Sequence, residues 1–351
     1  MDDVATAAGV STATVSRILN APKLVAPATA TRVMRVIKRL GYRPNRFAQG
    51  LMTRRSRVLG IVLPDMHGEF YSELLRGANA RARRSSYHLL VTADGAADHG
   101  PDPIATAPFG LIDGLALMLT EPNEHLWKEA RQSGLPMVVL DADLDAEGVD
   151  SVLIDNTSGA GEAIAHLLSS VPASRCYFVG GPRDNFDTGQ RAATFTRALR
   201  GARHRPRPDQ TAYGTYSPQW GRTWGAGMLE RAGTGVIGVM AADDEIALGV
   251  LDALLAAGRS VPDDARIVGF NDSRLASLLR PALSSVRVPL AEVGAAAVEA
   301  LINRIQHPES PVVRKTMPTQ LMVRESSRGE RPGPPDAPPR GIRRRSGSGS
   351  S

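Results

Sequence analysis

Cysteine is almost absent from this chain of 351 residues, in which Cys176 stands alone. A single cysteine excludes an internal disulfide framework and any zinc site built from several cysteines, as is usual in a reducing compartment. Long apolar runs are missing too: no stretch approaches the roughly 20 residues of a membrane span, and the N-terminus lacks the apolar segment of a secretion signal. These absences predict a cytoplasmic protein that is neither secreted nor embedded in a membrane.

Motifs of common catalytic centres are also lacking. Neither Gly-x-Ser-x-Gly nor His-Glu-x-x-His occurs, and the seven histidines are scattered without metal-ligand spacing. The turn Gly180-Gly181-Pro182 could cradle a phosphate, but Pro182 has no backbone N–H to donate, which favours a structural turn. The sequence therefore predicts no cofactor, no metal and no catalytic residue. An α/β enzyme acting on a sugar or nucleotide-like ligand stays open as an alternative.

The first twenty residues carry the pattern of a helix-turn-helix. Gly9 lies where a tight link between two helices needs a residue that tolerates positive φ, and Ser11 can cap the second helix. Val15, Ile18 and Leu19 form an apolar stripe on that helix. The opposite face suits a helix whose first turns enter a major groove, and its residues are Thr12, Ala13, Ser16 and Arg17. A small amphipathic helix pair with a solvated face is the alternative.

Basic charge is concentrated around that motif. The chain has a formal net charge of +6, yet residues 1–57 contain 11 basic side chains against Asp2 and Asp3, and residues 58–327 have a net charge of −7. Phosphate neutralisation supplies most of the non-specific affinity of proteins for DNA. A basic headpiece on an acidic body is therefore the layout expected of a DNA-binding module with a separate sensor.

A third helix is predicted from about Pro27 to Leu40, where Gly41 ends it. Its apolar face consists of Val33, Val36, Ile37 and Leu40. The segment that follows, residues 45–51, is too short to be a stable helix alone, so it is a candidate for folding on a partner, with Asn45 as its cap.

From Arg57 onward, apolar strands alternate with helical segments. Strands rich in Val, Ile and Leu in such alternation predict two parallel, doubly wound sheets. The strand segments are residues 58–63, 88–92, 114–119, 137–140, 151–154, 176–180, 235–240 and 265–269. Because ligands bind beyond the carboxyl ends of parallel strands, two such lobes predict a cleft for a small molecule.

Twelve short motifs, in order and with matching spacing, make the chain resemble the lactose-repressor (LacI/GalR) family of transcriptional regulators from about Asp3 to Ser326. They are Asp3-Val-Ala, Ala8-Gly-Val-Ser, Ala13-Thr-Val-Ser-Arg, Leu40-Gly-Tyr-Arg-Pro-Asn45, Gly60-Ile-Val-Leu-Pro-Asp65, Leu75-Arg-Gly77, Ile112-Asp-Gly114, Asp155-Asn156, Gly180-Gly-Pro182, Ala247-Leu-Gly249, Val268-Gly-Phe270 and Val323-Arg-Glu-Ser326. Each is weak alone, but the ordered set is specific.

The resemblance implies an all-α helix-turn-helix headpiece on a two-lobed α/β core like that of periplasmic sugar-binding proteins. It also implies a homodimer on a pseudopalindromic DNA operator. Thr12, Ala13 and Arg17 match base-reading positions. Leu51 matches a hinge leucine that wedges into the minor groove, with a buried hinge contact as the alternative. The other positions expected to contact DNA are Ser11, Thr14, Ser16, Asn45 and Arg46.

The same resemblance places a small-molecule effector between the two lobes. A planar guanidinium with carboxylate and amide groups suits a polyol, and an aromatic face suits a sugar ring or purine. The matching positions are Asp65, Phe70, Arg191, Tyr216, Asp243 and Asn271. For Arg191, a structural ion pair between helices is the alternative.

Three departures from the family pattern leave the identity of the effector open. Gly68-Glu69 replaces the usual Asn-Pro, which predicts an added carboxylate at Glu69 facing the cleft. Asp243-Asp244 and Asn271-Asp272 stand where many members have Asn-Asp and Asp-Asp. Amide and acid are thus exchanged at two positions of the predicted pocket.

The predicted boundaries are a headpiece at residues 1–44, a hinge and linker at 45–57, a first lobe at 58–157 with 288–316, a second lobe at 158–287 with 317–326, and a disordered basic tail at 327–351. The predicted function is transcriptional regulation, as a repressor, in which an effector closes the cleft and so orders or releases residues 45–51. A solute-binding protein without DNA function is a second alternative. It would need an export signal and no basic headpiece.

Overall fold

The computed structural model describes residues 1–20, 24–42, 55–93, 111–119, 124–142, 148–231, 233 and 235–328. The α-helices in these ranges are α1 (Asp2–Ala8), α2 (Thr12–Asn20), α3 (Pro27–Leu40), α4 (Gly68–Arg84), α5 (Glu124–Gln132), α6 (Asn156–Leu168), α7 (Phe186–Gly201), α8 (Pro218–Arg231), α9 (Asp244–Ala256), α10 (Arg274–Leu278) and α11 (Leu290–Gln306). None of the helices described is long and apolar enough to cross a membrane.

The strands of the described ranges form two six-stranded sheets. They are β1 (Val58–Leu63), β2 (His88–Ala93), β3 (Gly114–Met118), β4 (Met137–Leu140), β5 (Asp150–Ile154), β6 (Cys176–Gly180), β7 (Thr211–Tyr213), β8 (Ile237–Ala241), β9 (Ala265–Asn271), β10 (Ser284–Arg287), β11 (Arg314–Met317) and β12 (Gln320–Met322).

The headpiece consists of α1, α2 and α3 around a small apolar core. Val4, Val15 and Val33, one from each helix, are fully buried there. Gly9 ends α1 with φ at 61°, and the Oγ of Ser11 accepts the backbone N–H of Thr14 at 3.2 Å. The predicted turn and the predicted cap of α2 are therefore confirmed.

The end of α3 differs from the prediction in one respect. The sequence predicts Leu40 on the apolar face of α3, but its side chain is 47% exposed. Gly41 takes a left-handed conformation and turns the chain, so that the N–H of Tyr42 reaches the carbonyl of Ile37 at 3.1 Å. Tyr42 then packs against the headpiece core, in the place expected for Leu40.

Both sheets of the core follow the doubly wound pattern. The first has the order β11-β5-β4-β3-β1-β2 and is parallel throughout. The second has the order β12-β10-β9-β8-β6-β7, and β12 alone among its described strands runs antiparallel, against β10. Because helices cover both faces, β3, β4, β6 and β8 are buried along their whole length. The predicted fold class is confirmed.

Three connections join the two lobes, at Asp155, at Val288 and Pro289, and at Pro318 and Thr319. They lie close to the predicted lobe boundaries, with two differences. The sequence predicts residues 156 and 157 in the first lobe, but Asn156 begins α6, which packs on the second sheet. It predicts Met317 in the second lobe, but Met317 pairs with Ile154 in the first sheet.

The predicted disordered tail begins too early. Ser327 is 1% exposed, and its hydroxyl group lies 2.7 Å from the Oγ of Ser284 and 2.8 Å from Nε2 of His166. A hydroxyl buried with two partners belongs to the folded second lobe. Residues 329–351 lie outside the described ranges.

Candidate functional site

The exposed face of α2 carries the side chains expected to read bases. Thr12, Ala13 and Arg17 lie at the start and along one side of this helix, and Ala13 and Arg17 are one turn apart on the same face. The hydroxyls of Ser11 and Thr14 bond each other at 2.9 Å at the start of the helix. The three other residues predicted to contact DNA do not belong to the described ranges, and they are Asn45, Arg46 and Leu51.

A cavity of about 660 Å³ lies between the carboxyl ends of the two sheets. Its volume is in the range of sites that enclose small molecules. Both lobes contribute to its wall, and all seven residues predicted to contact an effector line it: Asp65, Glu69, Phe70, Arg191, Tyr216, Asp243 and Asn271.

Arg191 is a buried anchor in this wall. Its side chain is 2% exposed and lies over the ring of Phe270, with Cζ 3.7 Å from the ring centroid. Nε donates to Oδ1 of Asn156 at 2.8 Å, Nη1 donates to the carbonyl of Ala242 at 2.6 Å, and Nη2 pairs with Asp187 at 3.1 Å. Three of the five guanidinium N–H groups are thus used within the second lobe.

Asn156 and Asp187 complete this network, but sequence reasoning did not single them out as site residues. The Nδ2 of Asn156 donates to Oδ1 of Asp187 at 2.7 Å, and both side chains are buried. Asp187 precedes Arg191 by four residues, a spacing that brings two side chains together on one helix face. That spacing, with the Asp155-Asn156 motif, is the signal from which the pair could have been predicted.

Tyr216 forms an aromatic wall held by α7. Its hydroxyl donates to Oδ1 of Asn185 at 2.9 Å and lies 2.7 Å from Oγ1 of Thr188. Burial raises the pKa of this phenol well above its usual value, so Tyr216 stays neutral. A Cβ built on Gly181 would lie 2.6 Å from the Tyr216 ring. The glycine turn that could have cradled a phosphate is occupied by this ring, as expected of a structural turn.

The first lobe contributes a polar rim with one contact across the cleft. Oε1 of Glu69 accepts the backbone N–H of Arg274, at the start of α10 in the second lobe, at 2.7 Å. The carboxylate predicted from the Gly68-Glu69 departure therefore faces the cleft and bridges it. Asp65 accepts a bond from Nδ1 of His67 at 2.7 Å, and although burial opposes the effect, this bond and backbone N–H groups lower the pKa of Asp65.

Asp243, Asp244 and Glu245 form an acidic run where β8 meets α9. Burial, with the charges of Asp244 and Glu245, raises the pKa of Asp243 to about 7. Burial also raises the pKa of Asp244 to about 7, although bonds from Ser285 and Ser273 oppose the rise. Burial and the charge of Asp65, in the opposite lobe, raise the pKa of Glu245.

Asn271 ends β9 with φ at 100°, a conformation that side-chain-bearing residues rarely adopt. Its Oδ1 is buried and accepts no hydrogen bond from the described residues. The carboxylate of the next residue, Asp272, accepts hydrogen bonds from Nε of Arg287 at 2.7 Å and from Nη2 of Arg324 at 2.6 Å. Of the exchanged pair Asn271-Asp272, the amide therefore lines the cavity with a free acceptor, and the acid is held by two guanidinium groups.

The raised pKa of Asp243 predicts a pH-dependent stability. An aspartate whose pKa rises from 3.8 to about 7 on folding stabilises the protonated native state below about pH 4, and this contribution is lost as the pH rises through 7. Asp243→Asn, which keeps a cap for α9, should therefore become more stable relative to the native protein between pH 5 and pH 8. We expect its melting temperature to rise relative to that of the native protein by about 2–4 °C across this range, as measured by differential scanning calorimetry. A constant difference would show that Asp243 is ionised throughout.

Comparison with known proteins gives two family matches. The family of bacterial regulatory proteins, lacI family, matches residues 1–45, and a periplasmic binding protein-like domain matches residues 164–327. The first covers the helix-turn-helix, and the second covers most of the second lobe together with α11. Strands β1–β5 of the first lobe lie between the two matched ranges.

The chain is similar over nearly its whole length to regulators of this family. It is 31% identical over 330 residues to the HTH-type transcriptional regulator RegA of Clostridium saccharobutylicum, covering 93% of this chain and 98% of the relative. A structure described as a transcriptional regulator CelR-cellobiose complex superposes with a TM-score of 0.71 at 29% identity, covering 93% of this chain and 98% of that chain.

The lac repressor dimer bound to operator and the anti-inducer ONPF shares the fold, with a TM-score of 0.82 at 22% identity over 93% of this chain and 98% of that chain. The relatives are regulators and not enzymes, which rules out the catalytic alternative. The helix-turn-helix, the two-lobed core and these near full-length similarities together show that the chain belongs to the lacI family of bacterial regulatory proteins and is a DNA-binding transcriptional regulator.

Proposed function

We propose that this protein is a cytoplasmic repressor whose affinity for a pseudopalindromic operator is controlled by a sugar or related metabolite bound between its lobes. The observation that carries the proposal is the cavity of about 660 Å³, which gathers all seven predicted effector residues from both lobes. The CelR-cellobiose complex, a relative of the same architecture, supports a sugar as the ligand.

The DNA side of the proposal assigns base reading to Thr12, Ala13 and Arg17. All three lie on α2, whose opposite side is anchored in the headpiece core by Val15 and Ile18. Two headpieces of a homodimer would reach successive major grooves, because the symmetry of the operator mirrors that of the dimer. Ser11, Thr14 and Ser16 are proposed to hold the DNA backbone. Asn45, Arg46 and Leu51 are proposed to form the hinge contact.

The effector side assigns polar recognition to Arg191, Asp243 and Asn271 and ring stacking to Phe70 and Tyr216. A ligand that contacts both lobes shifts the equilibrium between open and closed clefts only through its differential affinity for the two states. The hydrogen bond from the backbone N–H of Arg274 to Glu69 already joins the two lobes across the cleft. A bound ligand would therefore strengthen or replace an existing contact between the lobes.

Arg17→Ala tests the DNA assignment. Operator sequences are first selected from random duplexes with the full-length protein, and affinities are then measured by fluorescence anisotropy on selected and scrambled DNA. An arginine that contacts a base edge contributes about 1–3 kcal/mol of discrimination. We therefore expect the ratio of the two affinities to fall by about tenfold or more. Adding sugars to the complex with selected DNA should change the affinity.

The matched control is Arg200→Ala, which removes the same charge from an exposed position on α7. It should leave both affinities unchanged. An equal loss on selected and scrambled DNA for Arg17→Ala would reduce this arginine to a phosphate contact. Failure to select any sequence would contradict the proposal that the protein binds a specific operator.

A further inference from the structure

The cavity between the lobes is lined by many more acidic than basic side chains. Nine carboxylates and three guanidinium groups line it. The three guanidinium groups pair within the wall, as Arg76 with Glu73, Arg191 with Asp187, and Arg287 with Asp272. Within the described chain, no lysine or arginine forms a close ion pair with the other six carboxylates, although Arg76 lies near enough to Glu292, and Arg191 to Asp243, for their charges to interact. Asp65 is paired with His67 at 2.7 Å. The six carboxylates belong to Asp65, Glu69, Asp243, Asp244, Glu245 and Glu292.

Two of the side chains that line the cavity, Asp243 and Asn271, have an acceptor oxygen that receives no hydrogen bond from the described chain. Asp243 is 7% exposed, and its Oδ1 caps α9 by accepting the N–H of Ile246 at 2.8 Å. No described residue donates to its Oδ2. Oδ1 of Asn271, at the end of the neighbouring strand β9, is buried without a donor from the described chain. Buried polar atoms are normally satisfied, so the Asn271 oxygen points to a ligand that carries a hydrogen-bond donor, and Oδ2 of Asp243 offers a second acceptor to it.

The acidic groups approach each other from both sides of the cleft. A Cβ built on Gly68 of the first lobe would lie 3.1 Å from Oε1 of Glu245 in the second. The charge of Asp65, across the cleft, contributes to the raised pKa of Glu245. A neutral sugar could donate hydrogen bonds to these carboxylates but would leave their repulsion in place, whereas a cation would relieve it.

Aromatic rings complete the wall. Phe70, Tyr71 and Tyr216 line the cavity, and the Phe70 and Tyr71 rings pack edge to face with centroids 5.1 Å apart. Aromatic faces beside carboxylates are a usual environment for bound ammonium groups, because the ring quadrupole attracts a cation.

On this basis we propose that the effector carries a protonated amine, held between Asp243, Glu245 and the amide oxygen of Asn271. The inference rests on the proposed function, in which this cavity binds the effector. The amine could belong to an amino sugar, whose ring would lie against the aromatic wall, or to an aliphatic polyamine.

The test is isothermal titration calorimetry on the full-length protein in phosphate buffer at pH 7.5 and constant ionic strength, because an amine buffer would compete. The amine probes are glucosamine, putrescine and spermidine. The neutral probes are glucose, cellobiose and N-acetylglucosamine. N-acetylglucosamine is the matched control for glucosamine, because acetylation removes the charge of its amine. At least one amine should bind about tenfold or more tightly than every neutral probe. Comparing the affinity for glucosamine with the affinities for putrescine and spermidine shows whether the amine belongs to an amino sugar or to an aliphatic polyamine.

Asp243→Asn and Glu245→Gln assign the binding to the acidic run. Both should weaken amine binding by about tenfold or more. The amide oxygen introduced by Asp243→Asn would still accept the N–H of Ile246, so α9 keeps its cap. The matched control is Asp155→Asn, because Asp155 caps α6 in the same way, through the N–H of Ser158 at 3.0 Å, outside the cavity wall. It should bind amines as the native protein does.

The outcomes separate this inference from the proposed function. Neutral sugars that bind as tightly as the amines, or tighter, would overturn the inference and leave a sugar-controlled regulator standing. The inference is also overturned if none of the amines binds, or if Asp243→Asn and Glu245→Gln retain full affinity. An amine that binds in the cleft but leaves operator affinity unchanged upholds the cation site and contradicts the proposed regulation.

Discussion

Removal of residues 1–57 is expected to abolish specific DNA binding and to leave the cleft able to bind small molecules. The segment holds the headpiece and 11 basic side chains, whereas residues 58–327 have a net charge of −7 and would repel a phosphate backbone. Specific affinity commonly exceeds non-specific affinity by about 10³–10⁷, so the loss should be complete at any practical protein concentration. Fluorescence anisotropy on the selected operator measures it.

The truncated protein must be shown to be folded before its loss is interpreted. Its circular dichroism spectrum should retain the α/β core, and a ligand of the full-length protein should raise its melting temperature, since a ligand that binds only the native state stabilises it. Operator affinity that survived the truncation would contradict the assignment of α2 as the DNA-reading helix.

Arg191→Met is expected to have the largest effect on stability of any single substitution in the cavity wall. It would leave the Asp187 carboxylate buried without its cation, and it would remove the donors to Asn156 and to the carbonyl of Ala242. Breaking a buried ion pair by removing one partner costs on the order of 3–5 kcal/mol. Urea denaturation of the native and variant proteins measures the difference in the free energy of unfolding.

Two further variants identify the source of that loss. Arg200→Met makes the same change at an exposed position later in α7 and should alter the free energy of unfolding by roughly 0.5 kcal/mol or less. Arg191→Lys keeps the charge but lacks the planar fork that serves three acceptors, so it should fall between the native protein and Arg191→Met. A loss below about 1 kcal/mol for Arg191→Met would show that the network does not hold the lobe together.

The extent to which the sequence predicts the fold depends on how local the determining interactions are. β1, β4 and β6 have the predicted bounds, because each is an uninterrupted apolar run between polar turns. β10 and β11 were missed, since their sequences, Ser284-Ser-Val-Arg and Arg314-Lys-Thr-Met, carry no strand pattern. Ser284 is nonetheless fully buried, and its hydroxyl group donates to the carbonyl of Arg324, 40 residues away. No local pattern contains such a partner.

The candidate site shows the same division. Family motifs predicted six of the residues that line the cavity, a departure from those motifs predicted Glu69, and the structure places all seven there. They did not predict that most of the Arg191 guanidinium is committed to Asn156, Asp187 and Ala242, because that network joins α6, α7 and the end of β8. The free oxygens of Asp243 and Asn271 could not be predicted either, since they depend on which donors the fold brings near.

The path of the chain between the lobes bears on how the protein folds during synthesis. The first sheet is complete only when β11 pairs with β5, and Arg314 follows Ile154 by 160 residues. At ribosomal rates of about 5–20 residues per second, the edge of β5 would wait roughly 8–32 s for its neighbour. The whole second sheet except β12 emerges in that interval. The first lobe is therefore synthesised first but completed late. Until β11 arrives, the unpaired edge of β5 is a site for chaperone binding or for aberrant pairing between nascent chains.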